Sequence, residues 1–164
     1  MFPCDATIGK MVFNRICNFP HKKFLLFKDN NELKSLTWQE LSDLIIHYMG
    51  VLKENNIQKG DFIGLLSDKT VYMIAAKLAI VSYGAVCCPL HTTFSKIQIN
   101  QAVKDYKYRL VFASKKYINC FHHNTSHQNN SLEIYCEPHT SKQRMSFEHQ
   151  ENLCYDISRV WHLY

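Results

Sequence analysis

Apolar side chains along this chain change their period several times, and each change marks an element. Between residues 7 and 19 they fall at Ile8, Met11, Val12, Ile16 and Phe19. That is one side of a helix, and Pro20 ends it. Residues 23–28 and 33–37 are short strand candidates on either side of Asp29-Asn30-Asn31-Glu32, whose asparagines tolerate positive φ, so a hairpin is expected. Thr37-Trp38-Gln39-Glu40 is a capping box: the threonine hydroxyl can bond the third helical amide while the glutamate reaches back to the cap's own amide. Leu41, Leu44, Ile45, Tyr48 and Leu52 then recur at helical spacing on one buried stripe, up to Asn55-Asn56.

Beyond Ile57-Gln58-Lys59-Gly60-Asp61, the run Phe62-Ile63-Gly64-Leu65-Leu66 is continuously apolar over the length of a strand, as strands buried on both faces are. Ser67-Asp68 is placed to cap a helix whose apolar stripe is Val71, Ile74, Ala75, Leu78 and Ala79, with Gly84 as its left-handed stop. A strand over 85–90, a helix over 95–106 and a strand over 109–113 follow. Strand, helix, strand, helix, strand predicts parallel pairing through right-handed crossovers. The expected fold class is α/β, a parallel-type sheet with flanking helices.

Composition divides the chain near Ser114. Residues 1–113 hold all five glycines and 14 basic against 9 acidic side chains; residues 114–164 hold 5 of each, six of the nine histidines and no glycine. Residues 114–131 read as a polar loop or linker, since His122 to Ser131 is polar and aperiodic. Residues 132–164 form a tail with a possible strand at Leu132-Glu133-Ile134-Tyr135-Cys136, alternating as an edge strand does, and a helix over 148–164 through Leu153, Ile157, Val160 and Trp161.

At 164 residues, 46% hydrophobic and 13% aromatic, the chain has the size and material of one domain, about 100 to 200 residues being usual. The net charge of +5 comes from scattered lysines, which gives nucleic-acid binding no special support. No apolar run approaches the roughly 18 residues of a membrane helix, and Met1-Phe2-Pro3-Cys4-Asp5 has neither a basic nor an apolar signal region. Seven irregularly spaced cysteines fit reduced thiols better than a disulfide framework. The expectation is a cytoplasmic protein with neither membrane nor nucleic acid as a partner.

Three ordered pieces carry a resemblance: Leu36-Thr37-Trp38-Gln39-Glu40-Leu41, then Ile57-Gln58-Lys59-Gly60-Asp61-Phe62-Ile63-Gly64-Leu65-Leu66, then Gly84-Ala85-Val86-Cys87-Cys88-Pro89-Leu90. In order and spacing they resemble the amino-terminal region of the adenylate-forming, AMP-binding superfamily, which includes acyl-CoA synthetases, luciferases and the adenylation domains of nonribosomal peptide synthetases. The resemblance spans about residues 24–113. It implies the amino-terminal subdomain of the adenylate-forming fold, incomplete, so that residues 1–113 are a partial AMP-binding domain. Asn56 stands where the family usually has glycine, Tyr83 where it has alanine, and His91-Thr92-Thr93-Phe94 replaces a proline-containing segment.

The resemblance implies activation of a carboxylate with ATP and Mg²⁺ to an acyl-adenylate, then transfer to a thiol. Such chemistry needs a Ser-, Thr- and Gly-rich loop whose backbone N–H groups reach the phosphates unhindered by side chains. The chain has no glycine after Gly84, and the family's phosphate loop lies beyond the matched region. No catalytic, cofactor-binding or metal residue is therefore assigned. The expectation is an amino-terminal portion of an AMP-dependent synthetase/ligase that binds no cofactor by itself and is inactive alone, with the remainder of the ligase fold or a carrier protein as partner. The competing readings are a noncatalytic α/β interaction module on the same scaffold and, third, a flavodoxin-like or thiol-dependent α/β domain.

Three features remain to be weighed. Asp61, after a turn glycine and before a buried strand, fits a capping carboxylate better than a general base. Cys87-Cys88, one on each face of a strand, are expected to act as small hydrophobes rather than redox thiols. Cys120, His122, His123, Cys136 and His139 have zinc-ligand chemistry without the paired thiolate spacing of a zinc site, so incidental histidines in a polar linker are expected.

Overall fold

The computed structural model describes residues 7–29, 31–121 and 132–136. Its elements are α1 (Ile8–Asn18), β1 (Lys23–Asp29), β2 (Glu32–Thr37), α2 (Trp38–Glu54), β3 (Phe62–Leu66), α3 (Val71–Ser82), β4 (Val86–Pro89), α4 (Lys96–Tyr106), β5 (Leu110–Ala113), a 3₁₀ turn (Lys115–Cys120) and β6 (Glu133–Cys136). β1 and β2 form an antiparallel hairpin. The other four strands make one parallel sheet in the order β4-β3-β5-β6. This is the α/β architecture that the alternation of elements predicts.

Each central strand sends alternate side chains to two separate cores. Ile63 and Leu65 of β3, with Leu110 and Phe112 of β5, join α2 and α3 on one face through Leu41, Ile45, Tyr48, Leu52, Ala75, Ala79 and Ile80. Leu66, Val111 and Ala113 point to the other face, where they meet Ile99 of α4, Tyr108 and Phe121. A strand buried on both faces has no reason to alternate, which is why β3 and β5 read as continuous apolar runs. Cys87 lies against the first core and Cys88 against the second, one on each face as expected.

Local signals and structure agree at α2. Thr37 Oγ1 accepts from the Glu40 amide at 3.2 Å, and the Glu40 carboxylate accepts from the Thr37 amide at 2.7 Å. At α4 a second capping box, Ser95 with Gln98, went unremarked in the sequence. Gly60 and Gly84 take positive φ, and so do Asn31, Asn56 and Lys107. Asn56 thus fills with a tolerant side chain the left-handed position where the resembling family has glycine.

Two expectations are corrected. The cap of α3 is Thr70, whose hydroxyl accepts from the Met73 amide at 3.1 Å, and not Ser67-Asp68; those two side chains are engaged elsewhere. The buried side of α3 is Ala75, Ala76, Ala79 and Ile80, rotated from the expected stripe because this helix is apolar nearly all round and α1, α2 and the sheet all pack on it. In α1 only Val12 of the expected stripe is buried, with Ile16 partly so, while Ile8 and Met11 are 58% and 42% exposed.

Among the described residues β6 is the edge strand of the sheet, and Tyr135 closes an aromatic cluster against Tyr48 and Phe112 at 6.1 and 5.6 Å between ring centroids. Within the stretch read as a loop, Lys115–Cys120 forms the 3₁₀ turn and Phe121 is buried. Residues 122–131 and the expected helix over 148–164 lie outside the described residues.

Candidate functional site

Chain direction selects one place on the sheet. From β3 the chain crosses through α3 to β4 on one side; it then returns through α4 to β5 on the other. The carboxyl ends of β3 and β5 therefore border the switch point, where open α/β sheets receive their ligands. The residues that follow those ends are Ser67-Asp68 and Ser114.

These polar groups bond to one another. Ser114 Oγ donates to Ser67 Oγ at 2.9 Å, and Ser67, itself buried, donates to the Asp68 carbonyl at 3.0 Å. The Asp68 carboxylate accepts from the Tyr117 hydroxyl at 2.9 Å and pairs with Lys116 at 2.7 Å. The Lys116 hydrogen bond holds the Asp68 carboxyl below its ordinary range, against a smaller opposing effect of burial. The same bond raises Lys116, whose ammonium also lies over the Tyr117 ring at 4.7 Å. Such an aspartate is a stable anion with a donor on each oxygen, and the lysine stays charged, so neither is poised as base or nucleophile. Their effect is to fasten the 3₁₀ turn across the end of β3.

No glycine lies at this mouth, and its polar side chains bond one another. Phosphates need small, unhindered backbone positions and positive charge, whereas a carboxylate stands at the mouth. Gly60 and Gly84 lie at the opposite end of the sheet, where the Gly60 amide donates to the Gly84 carbonyl at 2.9 Å. Gly64 is inside β3, with an added Cβ placed 2.9 Å from Val111 Cγ2 and 3.1 Å from Tyr108 Cδ2. Among the described residues no group of three or more His, Cys, Asp or Glu side chains is gathered.

Asp61 is a capping group: its Oδ2 accepts from the Gln58 amide at 2.8 Å. Burial pushes the Cys87 thiol up to about 11 and raises Cys88, the opposite of what a reactive thiolate needs. Of the zinc candidates, Cys120 carries a free thiol, while His122, His123, His139 and the side chain of Cys136 lie outside the described residues. Ser114, Lys116 and Tyr117 were not singled out in the sequence because their partners sit 47 to 49 residues away. The available signal was the polar residue that directly follows each buried strand. Among the described residues no helix is long and apolar enough to cross a membrane.

Tyrocidine synthase 3 of Brevibacillus parabrevis is 28% identical over 89 residues, 54% of this chain and 1% of its own length. A benzoate CoA ligase from Burkholderia xenovorans superposes with a TM-score of 0.68 at 16% identity, over 79% of this chain and 25% of its own. O-succinylbenzoate coenzyme A synthetase of Bacillus subtilis, solved in complex with AMP, superposes with a TM-score of 0.63 at 17% identity, over 76% and 30%. This chain thus spans a small part of the length of each. The model of one family, described as AMP-binding enzyme, matches residues 13–156, most of the sequence. The chain belongs to that family, the adenylate-forming AMP-binding enzymes.

Proposed function

We propose that this chain is the amino-terminal part of an AMP-dependent synthetase/ligase, which activates a carboxylate with ATP to an acyl-adenylate and then makes a thioester, and that it is inactive alone. The observation that carries the reading is the mouth of the sheet, where Asp68 is engaged by Lys116 and Tyr117 and no glycine opens the backbone to phosphates. Its role is then to supply two-sided sheet and helix scaffolding to the remainder of a ligase fold or to a carrier protein, in the cytoplasm. ATP and Mg²⁺ belong to the complete enzyme. The small share of each relative that the chain spans supports the same reading.

ATP–pyrophosphate exchange by the purified chain, offered a panel of aliphatic, aromatic and amino acids, is expected to stay at the blank level. Exchange above it refutes the claim of inactivity. Transcript sequence continuing past Tyr164 into a Ser/Thr/Gly-rich loop followed by lysine supports the ligase part. A transcript that stops, with a monodisperse protein that captures a defined partner, favours the noncatalytic interaction module.

A further inference from the structure

Among the described residues β6 pairs with β5 in the sheet, and a side-chain bond ties it to the helical layer. His47 of α2 meets the Tyr135 hydroxyl of β6 through Nε2 at 2.5 Å, across 88 residues of sequence. The rings lie 5.8 Å apart, and Tyr48 stands edge-on to the imidazole at 5.5 Å. With the phenol donating to Nε2, the imidazole carries its proton on Nδ1, so the bond as drawn belongs to neutral histidine.

We propose that His47 is a pH-sensitive latch for β6: neutral, it accepts the Tyr135 hydroxyl and keeps the strand on the sheet; protonated, it lets the strand open and frees the edge of β5. Protonation turns Nε2 from acceptor to donor, so the bond must reverse, and it places a cation in a half-buried site; that burial is a cost which the closed form bears and the open form, with water at the imidazole, does not. Among the described residues, Tyr135 from β6 and Tyr48 from its own helix face the imidazole. Among the described residues, the charge that bears on it is that of Glu54, about two turns further along α2. Burial lowers the affinity of His47 for a proton, and Glu54 opposes that in the smaller measure.

The sign follows. A histidine with its closed-form value lowered stabilises closure fully above the open-form value, about 6.5, and that stabilisation is lost as pH falls through the closed-form value.

The test is amide hydrogen exchange of Ile134 and Tyr135 in the full chain, followed by NMR between pH 7.5 and 5 and corrected for intrinsic rates, with the His47 ring titrated in the same samples. Opening of β6 is expected to rise below about pH 6.5, by up to about tenfold for each pKa unit between the open and closed forms, while amides of β3 change little. His47→Gln keeps an acceptor for the tyrosine and cannot titrate, so its β6 protection should be flat with pH. Flat protection in the unaltered chain while His47 titrates overturns the proposal. So does a pH dependence that survives in His47→Gln.

Discussion

The Gly60 amide donates to the Gly84 carbonyl at 2.9 Å, and both residues hold left-handed φ, +86° and +83°. One hydrogen bond thus joins the turns that feed β3 and β4, and each turn needs a conformation that costs an L side chain about 1–2 kcal/mol. Gly84→Ala and Gly60→Ala should each lower unfolding stability by roughly that amount. At Gly60 an added Cβ meets nothing within 4 Å, so the loss there is purely backbone. Urea denaturation checks it, and two variants indistinguishable from the parent chain would refute it.

Gly64 is a different case, because its φ is ordinary and the constraint is space. Val111 Cγ2 would sit 2.9 Å from a new Cβ, with the Tyr108 ring at 3.1 and 3.3 Å. Val111 is wholly buried and β-branched, and Tyr108 is buried as well, so neither moves without disturbing the second core. Gly64→Ala should cost about 1–3 kcal/mol by overpacking. Gly64→Ala combined with Val111→Ala should recover part of that loss, which a double-mutant cycle by denaturation would show.

Much of the fold is written locally, and what escapes local reading has one cause. The Thr37–Glu40 box, the α2 stripe ending at Leu52 and the two-sided runs of β3 and β5 depend on neighbours within a few positions, so periodicity exposes them. Ser67 and Asp68 look like a helix cap for the same local reason, yet Ser114, Lys116 and Tyr117 take them away across the sheet. The cap then falls to Thr70. The buried side of α3 is equally hidden, since Val71, Ile74, Ala76, Leu78 and Ile80 are all apolar and only packing chooses among them. Of the candidate site, the missing glycines were plain from composition, whereas the carboxylate at the sheet mouth required the topology.

Lys107 ends α4 at φ 50°, ψ 50°, a left-handed C-cap without the usual glycine. Lys107→Gly should therefore stabilise the chain by about 0.5–1 kcal/mol, the relief of the left-handed strain less the greater freedom glycine has when unfolded. Asn56, at φ 52°, tests the same physics in the other direction. Asn56→Gly should be close to neutral, and Asn56→Val should cost about 1–2 kcal/mol, because a β-branched side chain tolerates this region worst. Thermal melts ordering the four proteins otherwise would contradict the assignment.

Asp68 makes the last prediction one about pH. Its folded value is depressed by the Lys116 hydrogen bond, with Tyr117 in support, so the carboxylate contributes stability that is present above its unfolded value of about 3.9 and is lost as pH falls through the lower folded one. The pair is largely exposed, and the effect is correspondingly small and screened by salt. Asp68→Asn should leave the sheet intact but loosen the 3₁₀ turn, since the amide keeps one acceptor for Tyr117 and loses the ion pair with Lys116. Exchange of the Tyr117 amide, which donates to the Ser114 carbonyl at 2.8 Å, should quicken in the variant at pH 7 and converge with the parent chain only as pH falls through the depressed folded value of Asp68. A difference that persists unchanged into acid would mean that the ion pair is not what fastens this turn.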